Sequence, residues 1–340
     1  MRIALVSDAW APQVNGVVRT LTTTVARLRD TGHAVETITP DQFATVSCPT
    51  YPEIRLALLA GPALGRRLAV FDPEAVHMAT EGPLGWAARR WCLDRGMPFT
   101  TSFHTRFPDY LAMRTRLPAD WFWPPVRRFH APAAAVFAAT PTLEAELQAR
   151  GLRHTHRWSR GVDLALFTPH GASLADYADI EGPILLHVGR VAVEKNIEAF
   201  LQLDVAGTKV VVGDGPALAT LRVRYPHVRF LGSLSGERLA AAYRGADLLV
   251  FPSRTDTFGL VMIEAIACGT PVAAYPVAGP LDVLDSPGMG IMHHDLAEAT
   301  RQAMTLDRAR CAEAGRRYSW ATCTMQFLNG LVHRRLRAAA

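Results

Sequence analysis

Two carboxylates separated by seven residues bracket a short turn in the stretch 251–270, FPSRTDTFGLVMIEAIACGT: Asp256 stands before the turn and Glu264 after it. Phe258 and Gly259 make the turn, and the apolar run that follows predicts a helix carrying Glu264. Upstream, the buried-type run ILLHV ends in Gly189-Arg190, and Glu194-Lys195-Asn196 come directly after. Arginine offers a planar fork to phosphate oxygens and lysine a compact point charge. The first N–H groups of a helix lack internal partners and favour an anion, while carboxylates accept from hydroxyl groups. A guanidinium, an ammonium, a helix start and two carboxylates therefore suit a diphosphate with hydroxylated rings on either side, a sugar nucleotide. The two cations would offset the charge that develops as the diphosphate departs. The plainer alternative makes Asp256 an N-terminal cap, Glu264 a solvated helix residue, and Arg190 and Lys195 surface cations at a strand end.

These residues need strand ends to hold them. Short β-rich runs alternate with helical patterns through the first half, at Arg2–Ser7, Ala34–Thr39, Ile54–Leu58, Ala75–Ala79, Phe99–Phe103 and Ala135–Ala139. Between the first two, Val17, Leu21, Val25 and Leu28 recur at helical spacing, and Gly32-His33 ends that helix. A second series follows at Ile184–Val188, Lys209–Val212, Val228–Leu231, Leu248–Phe251, Pro271–Ala274 and Gly290–His293. Strand–helix–strand alternation predicts parallel sheets covered on both faces. The fold expected is α/β, with two Rossmann-like doubly wound domains facing across a cleft. Their boundaries are read as 1–167 and 184–318, with 168–183 a linker and 319–340 a helix packing back on the first domain. Ligands of such sheets bind at the carboxyl ends of the strands. Asp8, Gly16, His104, Arg190 and Asp256 all follow strand ends.

The 340 residues carry 36 cations, of which only Lys195 and Lys209 are lysines, so a lysine inside a motif stands out. Net charge is +5, and residues 55–130 hold eleven arginines against six acidic residues, a field that attracts phosphate-rich partners. The cysteines Cys48, Cys92, Cys268, Cys311 and Cys323 show no metal-type spacing and read as free thiols of a reducing compartment. The opening MRIALVSDAW reads as a strand rather than a signal peptide, and no apolar stretch is long enough to span a bilayer. A cytoplasmic protein is expected, peripheral on the inner face of the membrane.

With these motifs in place, the chain resembles the retaining glycosyltransferases of family 4, which have the GT-B fold. The family pattern of Glu, seven residues, Glu stands here as Asp256, seven residues, Glu264, and the TDTFG form is similar to the branch of mannosyl-, sulfoquinovosyl- and glucuronosyltransferases. The resemblance runs from WAPQVNGV to the YSW segment near the end. It implies that Arg190 and Lys195 bind the donor diphosphate, Glu264 the ribose and Asp256 the donor sugar, beside Phe258 and Gly259. Gly16, in Asn15-Gly16-Val17, would let backbone amides approach the β-phosphate. His104, in TSFHT, would lie near the donor sugar, and the loop from Gly232 to Leu234 would read the base. Retention on one face of the sugar needs no covalent nucleophile, and the leaving phosphate would help deprotonate the acceptor. The donor is a substrate, a UDP- or GDP-sugar; no cofactor is implied.

No metal is expected: a DxD triad near a strand end is lacking, and His293-His294 and the His154/His156 pair have no carboxylate or cysteine at ligand spacing. A dehydrogenase is disfavoured because no G-x-G-x-x-G follows the first strand, and a nucleic-acid partner is suggested only by charge. Residues 105–130 mix arginines with Phe107, Tyr110, Trp121, Phe122 and Trp123, which suits either a bilayer interface or a lid with buried aromatics. The first points to a lipid acceptor such as diacylglycerol on an anionic membrane surface. The alternatives are a soluble or polysaccharide acceptor, and an epimerase-like protein that binds the nucleotide without transferring.

Overall fold

The structure, a computed structural model, describes residues 1–13, 15–48, 51–256 and 258–334. It divides into two compact units: Met1–Arg160 together with the stretch beginning at Trp320, and Gly161–Ser319.

In the first unit β1 (Arg2–Val6), β2 (Ala34–Ile38), β5 (Ala75–Met78), β6 (Thr100–Ser102), β7 (Ala135–Ala138) and β8 (Thr155–Arg157) form an all-parallel sheet in the order β2-β1-β5-β6-β7-β8. The helix Gly16–Asp30 starts where the Asn15 side chain accepts from the Val18 N–H at 3.0 Å, and buries Val18, Leu21, Val25 and Leu28. The helix Trp320–Gly330 lies beside it, and Trp320, Cys323 and Phe327 share one apolar cluster with Leu21, Val25 and Leu28. This helix ends at Gly330, within the expected 319–340; residues 335–340 lie outside the described residues.

The run Ile54–Leu58 was expected among the parallel strands. It instead falls in β4 (Tyr51–Ala57), which pairs antiparallel with β3 (Thr45–Cys48) as a separate two-stranded sheet. A parallel partner needs a crossover of a dozen or more residues. Cys48 ends β3 and Tyr51 begins β4, a connection far too short for such a crossover, so a hairpin is the pairing within reach. Strand β8 carries no sequence signal: Thr-His-Arg is short and polar, and every residue in it is half-buried.

The second unit repeats the plan with β9 (Ile184–Val188), β10 (Thr208–Val212), β11 (Arg229–Gly232), β12 (Leu248–Phe251), β13 (Val272–Ala274) and β14 (Gly290–Met292), all parallel, in the order β11-β10-β9-β12-β13-β14. Every residue of β9 and β12 is buried, as expected for central strands covered on both faces. The segment 168–183, read as a linker from its small and polar composition, packs into this unit. Leu174 and Tyr177 are buried, and the Tyr177 hydroxyl donates to the Ala242 carbonyl at 3.3 Å. These two apolar anchors, the ion pairs Arg229–Asp179 and Arg238–Asp176, and Arg244, which donates to the Ala172 carbonyl at 3.0 Å, hold a stretch whose average composition looked loose.

Candidate active site

The strand order of the second unit reverses between β9 and β12. In a doubly wound sheet that switch point opens a crevice beyond the strand carboxyl ends. Gly189 and Arg190 leave β9 there, and residues 252–256 leave β12 there.

Glycines bring three loops together at that edge. The Gly189 N–H donates to the Val212 carbonyl at 3.0 Å, the Val191 N–H to the Asp214 carbonyl at 2.9 Å, and the Gly213 N–H to the Gly232 carbonyl at 2.8 Å. Gly213 sits at φ +144°, and a Cβ on it would lie 1.8 Å from the Gly189 carbonyl oxygen, so only glycine lets these backbones touch. Gly232 (φ +73°) and the half-buried Leu234 stand on the third of these loops.

Lys195 closes the short 3-10 turn Val193–Lys195, and its ammonium donates to the Asp256 carboxylate. Both side chains remain partly accessible, at 24% and 15%. The loops bearing them are stitched together: the Asn196 amide donates to the Pro252 carbonyl at 3.0 Å, and the Thr255 hydroxyl to the Glu194 carbonyl at 3.2 Å. Arg190 is half-buried on the same loop. The cap reading of Asp256 fails. The helix Leu260–Ala267 is capped by Gly259, in the left-handed region at φ +86°, with no side-chain cap. A Cβ on Gly259 would come within 2.9 Å of the Phe251 ring, and Phe258 is buried against Tyr318. Glu264 is not solvated: it is 4% exposed and accepts from the Tyr243 hydroxyl at 2.8 Å.

Sequence reasoning missed His187 in this region. It is buried in β9, its Nδ1 lies 3.3 Å from the Val250 carbonyl, and its Nε2 has no hydrogen-bond partner among the described residues. Burial pulls its pKa down to about 4. Tyr243 was likewise invisible, because nothing in a tyrosine of an alanine-rich helix says that a carboxylate one helix away needs it.

In the first unit, Gly16 is exposed at the start of its helix. His104, just beyond β6, is buried, and its Nδ1 lies 2.8 Å from the Arg160 guanidinium. Asp8 belongs to the architecture: its carboxylate accepts from the Leu84 N–H at 2.9 Å, the Gly85 N–H at 3.3 Å and the Thr80 hydroxyl at 2.9 Å, capping the helix Pro83–Asp94 from across the sheet edge. Burial raises its pKa in spite of those donors.

Family models match both halves of the chain: Glycosyltransferase Family 4 over residues 14–166 and Glycosyl transferases group 1 over 182–306. A GDP-mannose-dependent alpha-mannosyltransferase of Mycobacterium tuberculosis is 31% identical over 93% of this chain and 91% of the relative. The chain belongs to glycosyltransferase family 4. Sulfoquinovosyl transferase SQD2 of Arabidopsis thaliana is 28% identical to this glycosyltransferase over 83% of the chain and 61% of the relative. The alpha-monoglucosyldiacylglycerol synthase of Streptococcus pneumoniae is 25% identical over 89% and 78%. Among solved structures, the sucrose-phosphate synthase of Thermosynechococcus elongatus superposes with a TM-score of 0.77 at 23% identity, covering all of both chains. Anabaena Alr3699/HepE in complex with UDP gives 0.68 at 18%, covering 97% and 99%, so the glycosyltransferase shares the fold of both.

The buried histidines set how the enzyme responds to acid. His77, bonded at both ring nitrogens to Thr100 and Ser102 at 2.8 Å, is pulled down to about 3 by burial; His187 is at about 4, and His104 lies well below its ordinary value. The unfolded chain binds a proton at each below about pH 6.5, whereas the folded chain does not. Their stabilising contribution is therefore whole above that pH and is lost as pH falls toward about 4, at about 1.4 kcal/mol per pH unit for each group. Asp8 acts in the opposite sense, one group against three. Urea midpoints should be lower at pH 5 than at pH 7; equal midpoints would contradict the buried neutral histidines.

Proposed function

We propose that this glycosyltransferase moves a hexose, with retention and without a metal, from a nucleotide sugar to a membrane lipid, and that the donor is GDP-mannose. The observation that carries the reading is the pairing of Lys195 with Asp256 at the switch point of the second sheet, at the edge where Gly189 and Gly213 let neighbouring loops come into backbone contact. Arg190 and Lys195 take the diphosphate and hold the charge of the leaving group. Asp256 takes hydroxyls of the transferred sugar. Glu264 takes the ribose, its Oε2 fixed by Tyr243. Phe258 and Gly259 shape the turn between the two carboxylates, Gly232 and Leu234 flank the base, and Gly16 and His104 are the first unit's contribution to the donor. GDP-mannose is favoured over UDP-sugars by the 31% relative, whose name carries that donor.

A lipid acceptor is supported by the surface around 107–121. Phe107, Leu111, Met113, Leu117 and Trp121 are exposed together with Arg114 and Arg116, while Trp123 is buried and stacks 5.6 Å from Phe103. The segment thus divides between the two readings of its aromatics: one tryptophan anchors it in the core and the other faces out. Apolar groups with arginines beside them suit a headgroup region. No helix among the described residues is long and apolar enough to cross a membrane, so contact would be at the surface.

The test is a donor screen with GDP-mannose, UDP-glucose, UDP-glucuronate and UDP-galactose against diacylglycerol in anionic and in neutral vesicles, with EDTA present. Transfer from GDP-mannose, with an α-linked product and protein sedimenting with anionic vesicles, is the expected result. Transfer only from a UDP-sugar removes the donor assignment. Equal, negligible sedimentation with both vesicles removes the lipid surface, and activity that returns only with Mg²⁺ or Mn²⁺ removes the metal-free mechanism.

A further inference from the structure

Arg160 is a buried cation that makes no ion pair among the described residues. Burying a guanidinium without a carboxylate is costly unless its donors are satisfied. Here they are met by neutral acceptors: the Trp158 carbonyl at 2.6 Å, the Ser159 carbonyl at 3.1 Å and His104 Nδ1 at 2.8 Å. The Trp158 ring supplies a face to the cation, 4.9 Å from the guanidinium carbon, and packs 5.5 Å from the His104 ring.

This arrangement decides a proton. A guanidinium has five N–H donors and no acceptor. The ring nitrogen that faces it must supply a lone pair, so Nδ1 of His104 carries no hydrogen. The neutral ring then bears its hydrogen on Nε2. We propose that Arg160 is a positioning residue for His104, holding it as the Nε2–H tautomer so that the ring serves the transfer as a hydrogen-bond donor and not as a base. That part which concerns the transfer rests on the functional reading above; the tautomer does not. Among the groups that act on His104, Arg160 disfavours its protonation most, and His77 and His130 stand nearby; Glu81 lies beyond, 3.1 Å from His130 Nε2. His77 is held by Thr100 and Ser102, and His130 by Thr101 on its other nitrogen. Burial adds to these effects, and the His104 pKa falls well below its ordinary value.

The experiment is a long-range proton–nitrogen correlation spectrum of the full-length protein labelled with ¹⁵N-histidine, with the His104 signals identified by their loss in His104→Gln. In the wild type, His104 should show the Nε2–H pattern and stay unprotonated from about pH 5.5 to 8. In Arg160→Met, His104 should become a tautomer mixture or titrate, and kcat should fall by at least about tenfold with the donor KM changed by less than about threefold. Arg160→Lys, whose ammonium is also donor-only, should restore the Nε2–H pattern and part of the turnover. An Nδ1–H pattern in the wild type would overturn the assignment, as would wild-type turnover in Arg160→Met. The spectrum is read without substrate, so it stands even if the donor assignment fails, and it needs no variant at position 160 to fold.

Discussion

Lys195→Ala should lower turnover by at least about a hundredfold, on the order of 2.7 kcal/mol in the barrier, the usual consequence of deleting one charged donor from a site where negative charge develops. The argument starts from scarcity and ends in geometry. The chain holds two lysines, and they do different work. Lys209 donates from Nζ to the Leu201 carbonyl at 2.8 Å and the Leu203 carbonyl at 2.6 Å, closing the end of the helix Ile197–Leu201. Lys195 reaches instead to a partly accessible carboxylate at the sheet's switch point. The paired variant is therefore the control. Lys209→Ala should lose about 1–3 kcal/mol of stability, because two carbonyls lose their donor, and keep its turnover. Steady-state kinetics and urea unfolding on both variants separate the two roles. If Lys195→Ala turns over at a near wild-type rate, the assignment of the diphosphate site fails.

What could be read without coordinates follows from how local each feature is. The strands β1, β9 and β12 announce themselves as runs of buried aliphatic residues, and Lys195, Asp256 and Glu264 stand beside strand ends or on a helix that such runs define. The loops of Gly189, Gly213 and Gly232 were each visible as glycines, but their contact was not, because it depends on three strands becoming neighbours. Position in a motif also says little about burial. Glu264 is satisfied by Tyr243, 21 residues away, and Asp256 is paired with Lys195, 61 residues away. Asp8 shows the opposite failure: a carboxylate after the first strand suggested chemistry, but the turn at Thr80 and the helix after Gly82 claim it as a cap. His187 and Arg160 carry no motif, and their interest lies wholly in burial and in which atoms face them. The β3–β4 hairpin was misjudged because β propensity reports a strand without its partner.

Asp256→Asn should tighten GDP binding by about tenfold while lowering turnover by about a hundredfold, a split between affinity and rate. The Asp256 carboxylate occupies the ammonium that the reading gives to the diphosphate. A diphosphate must then displace a carboxylate from Lys195, and it must do so beside a like charge. The amide removes both obstacles and keeps the shape of the side chain. It is also a poorer acceptor for a sugar hydroxyl, and it cannot offset positive charge that gathers on the sugar as the bond to the diphosphate breaks, so the rate falls where the affinity rises. The competing account makes Asp256 a brace that aims Lys195; in that case the amide would loosen the lysine, and GDP affinity and turnover would fall together. Calorimetric titration of GDP into the wild type and Asp256→Asn distinguishes the two, and weaker binding in the variant would leave the pair as a structural brace. The ionic-strength dependence adds a second reading: with the carboxylate gone, the affinity for GDP should respond more steeply to added salt, because the anion then faces an uncompensated ammonium.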